Sequence, residues 1–301
     1  MRRRVLILLP VLLIFGMAAF YTGCGHDTGE QEGSEEDFRV PDSLLSPLEA
    51  YGLTTDEYHP INGGVMANNN IHLYYPASDV ARFLAVKMFG FAIESHRMVT
   101  SEIGRPANGK VFIIGCKDLK EYEFLTRKEW WYYGVIQGDT IYFEPFDIML
   151  KRYDKNSQRS IAQIGFMQRM AQMALIRISK GRVPNWIRES VASYIANEGK
   201  ILEIQANQYS KQYIGFDPTY DELEGYLAAA VEIDVTRVSF YYAYRMLENL
   251  LSMSSMKNLL TFVRKLGEGR TLDEASREVF EMEYIELIEK IKVRGEAGES
   301  I

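Results

Sequence analysis

From about residue 157 onward the chain shows helical spacing and no further strand pattern, and no other feature restricts its fold as much. Apolar residues recur every three or four positions in "FMQRMAQMALIRIS", in "NWIRESVASYIA", and again in "FYYAYRMLENLLSM", "MKNLLTFVRKL", "LDEASREVF" and "YIELIEKIK". The first two predict a pair of helices joined at a glycine-containing break. Strand signals all come earlier. "IHLYYP" alternates, "GKVFIIGC" is a short β-branched run, and "WYYGVIQGDTIYFEPF" sets Gly138-Asp139 between two apolar runs, as a hairpin would. "SDVARFLAVKMFGFAIESHRMVTSEIG" has helical spacing with Ser78 or Asp79 able to cap it, and "KDLKEYEFLTRKEW" reads as a short helix and its exit. Residues 201–239 give no clear reading. Strands first and helices after predict an α+β fold: a small mixed-sheet subdomain over residues 51–156, then a helical lobe over 157–295.

The start of the chain is of another kind. Arg2, Arg3 and Arg4 precede the apolar run "VLILLPVLLIFGMAAF", which passes into "YTGC". This is the layout of an export signal over residues 1–24. As a helix the run would extend about 24 Å, short of a hydrocarbon core of roughly 30 Å, so a permanent span is the weaker reading. "YTGC" resembles the lipobox of bacterial lipoproteins, with Tyr21 where a small aliphatic residue is usual, and makes Cys24 the expected lipidation site. Residues 25–50 form an acidic tether, whose segment "GHDTGEQEGSEEDFRVPD" holds seven acids against one base.

Cleavage after the signal would remove three arginines and take the net charge from −7 to −10. With no basic stripe, nucleic acid is not an expected partner; the bilayer, through Cys24, is. The expected location is the outer side of a bacterial cytoplasmic or outer membrane. The remaining cysteine, Cys116, ends an apolar run and reads as a small buried hydrophobe, so no disulfide framework is available.

The middle of the chain resembles the peptidase MA-like domains, a branch of the gluzincin metallopeptidases. The likeness rests on "PNWIRESVASYIA", which matches that family's Trp-x-x-Glu-Gly-x-Ala-x-Tyr phrase through Pro184, Trp186, Glu189, Ala192 and Tyr194, with Ser190 in place of the glycine. Gly269, Leu272 and Ala275 match a Gly-x-x-Leu-x-x-Ala signature in its closing helices. The resemblance spans roughly residues 65 to 292 and implies a sheet subdomain followed by a helix carrying His-Glu-x-x-His. At the family's spacing before Pro184 that slot holds "QRMAQ". Gln168 and Gln172 stand where the histidines would be and Arg169 where the glutamate would be; Glu189 stands where the family places its third metal ligand.

Zinc hydrolysis needs neutral imidazoles at i and i+4 on one helix face, and a base that can accept a proton from water. A carboxamide oxygen is a poor zinc donor, and a guanidinium keeps its proton at any relevant pH. No metal, no cofactor and no catalytic residue is therefore expected at Gln168, Arg169, Gln172 and Glu189. The other reading of the glutamines is packing alone, since Ile161, Ile164 and Leu175 lie near the same stripe. The four histidines, His26, His59, His72 and His96, are scattered, and none pairs at i, i+4 with another. If Glu189 faces the first helix it needs a cation, with Arg169 the nearest candidate and Arg188 its competitor.

Three other stretches are worth following. "EWWYYG" (129–134) would pack the sheet or line a groove, "SFYYAYR" offers Tyr241, Tyr242 and Tyr244 to a helix core or to such a groove, and "DPTYDELEG" reads as a solvated acidic face. The expected function is an envelope lipoprotein with a peptidase-like body that binds or scaffolds an extended peptide or an envelope protein in its cleft. The alternatives are an active zinc metallopeptidase with other ligands, and a purely structural envelope subunit.

Overall fold

Five short strands form a mixed sheet: β1 (Gly64–Ala67), β2 (Ile71–Tyr75), β3 (Val111–Gly115), β4 (Val135–Gln137) and β5 (Thr140–Phe143), in the order β1-β2-β3-β5-β4. The computed structural model describes residues 63–104, 110–128, 132, 134–151, 153–154, 159–209, 216–229 and 232–293. The signal, Cys24, the tether, His26, His59 and most of "EWWYYG" lie outside the described residues. The three central strands run parallel, with Ile71 opposite Val111 and Phe112 opposite Thr140, while β1 and β4 are antiparallel edges. Gly138 and Asp139 turn the β4–β5 hairpin where the sequence predicts it; Gly138 takes the positive φ of 57° that such a turn uses.

Alternate residues divide between the two faces. Ile71, Leu73, Val111, Ile113, Ile141 and Phe143 enter the main core. Ile114, Cys116 and Tyr142 enter a smaller core with Tyr122 and Leu125 of α2 (Leu119–Thr126), preceded in the chain by α1 (Asp79–Ile103). Cys116 is thus the buried hydrophobe its sequence context predicts. Ser78 caps α1, its hydroxyl accepting from the N–H of Ala81 at 3.0 Å.

The helical remainder comprises α3 (Phe146–Lys151), α4 (Ile161–Ser179), α5 (Asn185–Ala196), α6 (Gly199–Tyr209), α7 (Tyr220–Ala229), α8 (Ile233–Met253), α9 (Met256–Gly267), α10 (Leu272–Phe280) and α11 (Tyr284–Ile291). A two-stranded ladder, β6 (Tyr153–Asp154) with β7 (Arg159–Ser160), straddles residue 157, so the purely helical stretch begins a few residues later than expected. One apolar core runs from Ile71 to Ile291, so the expected boundary at 156/157 separates kinds of element rather than two cores. No described helix is long and apolar enough to cross a membrane.

Helix α4 sits at the centre, packed against α1, α5 and α9. It is buried on every side from Ile164 to Leu175. Its apolar side chains, Phe166, Met167, Met170 and Leu175 among them, contribute roughly 1.5–3 kcal/mol each by leaving water. The helix ends where Lys180 and Gly181 take positive φ (51° and 78°) and the Gly181 N–H returns to the Ile176 carbonyl at 2.8 Å. Gly267 lets α9 approach this end: a methyl group there would lie 2.0 Å from the Ile178 carbonyl oxygen.

Candidate functional site

A helix buried on all sides has no solvent face for polar groups, yet α4 carries Gln168, Arg169 and Gln172 within that buried stretch. Each must find a partner inside the protein, because an unsatisfied buried amide or guanidinium costs kilocalories. The partners come from α5. The Gln172 Nε2 donates to Glu189 Oε2 at 2.5 Å, and the Gln168 Nε2 donates to Ser193 Oγ at 3.3 Å. Spacing of four residues on each helix places the two contacts one turn apart, as facing helices require.

The guanidinium of Arg169 completes the chain, its Nη1 donating to Gln172 Oε1 at 2.6 Å. The Gln172 amide orientation follows from its neighbours. Turned over, it would set oxygen against carboxylate and NH2 against guanidinium. Glu189, 2% exposed, has a second partner: Arg188 donates to its Oε1 from Nε at 3.2 Å and from Nη2 at 3.0 Å. The competitor named from the sequence therefore holds the carboxylate directly, and Arg169 reaches it through the Gln172 amide.

Two further groups join this cluster. Arg169 lies over the ring of Tyr132, 4.8 Å from its centroid, and hydrogen-bonds that side chain. Burial pushes the Tyr132 phenol upward, and the nearby Glu189 adds to the shift while Arg169 and Arg188 oppose it. Of the aromatic stretch 129–134, Tyr132 is thus a site residue, which its sequence context alone could not single out. Glu198, just past α5, is buried, and among the described residues its Oε2 has no hydrogen-bond partner. Burial raises its carboxyl from the ordinary 4.5 to about 7, opposed by the Ser193 hydroxyl, Arg169 and Arg237 and reinforced by Glu189.

That shift has a sign. A carboxyl whose folded pKa is raised binds more protons folded than unfolded between pH 4.5 and about 7. Its contribution is fully present below 4.5 and is lost as pH rises through 7, on the order of 3 kcal/mol in all. Urea unfolding at pH 5 and pH 8 measures this: the protein is expected to be less stable at pH 8, and Glu198→Gln to reduce the difference.

The start of α5 is held from outside. Glu224 of α7 accepts from the N–H groups of Asn185 and Trp186, both at 2.8 Å, filling the place a side-chain cap would take behind Pro184. The expected solvated acidic face is therefore only partly that: Asp221 and Glu222 are exposed, and Glu224 is a half-buried capping group. Trp186 is wholly buried and its indole N–H donates to the Tyr284 hydroxyl at 2.8 Å, tying α5 to α11. Ala192 is buried beneath α5, Tyr194 is exposed, and Ser190 bonds back to the Ile187 carbonyl.

Of the remaining candidates only Tyr244 comes near this cluster, at its Glu198 edge. Tyr242 packs on Phe216, Tyr241 accepts from Arg245, and the Tyr244 ring occupies the space beside Gly199 next to Glu198. His72 packs edge-on against Phe112, and His96 on α1 is held below its usual pKa by burial and Arg177. Gly269 has a φ of 102° in the turn before α10, and buried Ala275 and half-buried Leu272 pack that helix against the core.

Gluzincin resemblance implies a zinc ion, and the residues present do not fit one. The only good donor atom of Gln172 already accepts from a guanidinium, and both oxygens of Glu189 are engaged. A dication would have to displace these bonds and sit beside Arg169. Among the described residues no group of three or more His, Cys, Asp or Glu side chains is placed to hold a metal. Compared with known proteins, the chain matches no family model, and no curated protein matches it in sequence.

Proposed function

We propose that the chain is an exported, membrane-anchored protein whose metallopeptidase-like body binds an extended polypeptide without cutting it. One observation carries this reading: the Gln172 amide bridges Arg169 and Glu189, so the place of a catalytic metal is taken by a closed set of hydrogen bonds. A chain wired this way has no base at the position where the resemblance puts the catalytic glutamate, since Arg169 cannot accept a proton.

Binding has its own support. β4 is an edge strand, and its hairpin lies over α4, where a methyl added at Gly134 would come 3.2 Å from Arg169. A strand edge beside a half-buried tyrosine suits an extended peptide, which adds main-chain hydrogen bonds to the sheet. Anchoring follows from the N-terminal sequence, with acylation at Cys24 and the acidic tether spacing the body from the bilayer. The purified protein, incubated with zinc and a mixed library of extended peptides, is expected to leave every peptide mass unchanged while raising the anisotropy of labelled members. Cleavage abolished by a chelator would overturn the proposal.

A further inference from the structure

Helix α1 presents an outward face that the rest of the described fold does not use. Phe83 is 77% exposed and Val80, Val86 and Ile93 are exposed with it. At 100° per residue Phe83, Val86, Gly90, Ile93 and Arg97 fall along one stripe. Gly90 is the anomaly. It lies in the middle of a 25-residue helix, where glycine costs roughly 1 kcal/mol relative to alanine, and a methyl group added to it would meet no atom within 4 Å. Nothing within the described fold requires a glycine there. A second helix crossing closely at that point would.

The charges on the same helix are complementary. It carries three acids, Asp79, Glu94 and Glu102, and three bases, Arg82, Lys87 and Arg97. Among the described residues Lys87 and Arg97 have no carboxylate partner, and Glu94 is held at one oxygen by Gln163 Nε2 at 3.1 Å. With a two-fold axis through Gly90, antiparallel copies set Phe83 opposite Arg97 of the second copy, and Val86 and Lys87 opposite Ile93 and Glu94. That arrangement covers the stripe, pairs cation with ring and cation with carboxylate, and uses the glycine. A bilayer accounts for less, because the helix as a whole carries equal acids and bases, and a lipid surface has no need of a glycine.

We infer that the outward face of α1 is the two-fold interface of a homodimer, centred on Gly90. The test is the mass of the full chain by multi-angle light scattering, corrected for any bound detergent. The wild type is expected at twice the mass of its own single chain. Gly90→Leu, which favours the helix itself and so does not threaten folding, is expected to weaken association by about tenfold or more. Lys87→Glu should weaken it as well, and Lys87→Glu with Glu94→Lys should recover it. A monomeric wild type, or a dimer indifferent to Gly90→Leu, overturns the inference. So does a monomer whose binding to phosphatidylglycerol vesicles falls with Phe83→Asp, which would give the face to a bilayer instead.

Discussion

Glu189→Ala is expected to destabilise the protein by about 3 kcal/mol, and to do so equally with and without a chelator. The substitution removes a carboxylate that accepts from Gln172 on one side and from Arg188 on the other. Gln172 is left with an N–H pair facing nothing, and the guanidinium of Arg169 loses the negative charge at the end of its chain. Breaking a fully buried pair costs roughly 3–5 kcal/mol; the lower figure applies because Arg188 is 24% exposed and can turn to water. The sign separates two accounts of the site. In an empty metal site, removing a ligand relieves crowding of donor atoms, and any loss would depend on metal. In a hydrogen-bonded strut, stability falls whatever the metal. Chemical denaturation of the wild type and variant, each with and without chelator, makes the comparison.

Trp186→Ala is expected to cost about 3–5 kcal/mol, with a further loss for the Tyr284 hydroxyl it leaves behind. The indole is wholly buried where α5 meets α11, and its N–H closes on a hydroxyl that also approaches Tyr220 at 3.2 Å. The Tyr284 ring stacks on Phe262, their centroids 5.9 Å apart, so the cavity has stiff walls and relaxes little. Trp186→Phe keeps most of the apolar contact and loses the hydrogen bond, and its cost should be roughly 1–3 kcal/mol. In equilibrium unfolding, equal costs for the two variants would contradict the packing contribution of the ring, and a Trp186→Phe cost near zero would contradict a role for the hydrogen bond. Against a usual total of about 5–15 kcal/mol, the alanine variant comes close to unfolding the chain.

Much of the fold was legible because it follows from local pattern. The turn at Gly138-Asp139, the Ser78 cap and the break at Gly181 are written in residue types that favour those backbone states. β1 was not legible. "GVMA" has no alternation and becomes a strand only because β2 offers it an antiparallel partner. Residues 199–229 hide α6 and α7 for a similar reason, since their few buried positions, such as Leu202, Ala206, Leu223 and Leu227, matter only against α8 and α5.

At the site, the Gln168 and Gln172 stripe on α4 was legible from spacing and the facing position of Glu189 came from the resemblance, while the pairing of Gln168 with Ser193 was not anticipated. Nor were the groups that complete the site. Tyr132, Glu198 and Glu224 reach it from separate elements, and their roles exist only in three dimensions. The choice of Arg188 over Arg169 at the carboxylate was equally hidden, because it depends on the Arg169 guanidinium being engaged by the Gln172 amide and the Tyr132 ring.

The most direct test of the account is the zinc content of the purified protein after exposure to zinc and dialysis. Gln168→His with Arg169→Glu and Gln172→His, which rebuilds the ligand set around Glu189, serves as the control. Wild-type protein carrying no more zinc than a buffer blank, beside a rebuilt variant that retains it, is the predicted result. One zinc ion held per wild-type chain, lost on Glu189→Ala, would contradict it.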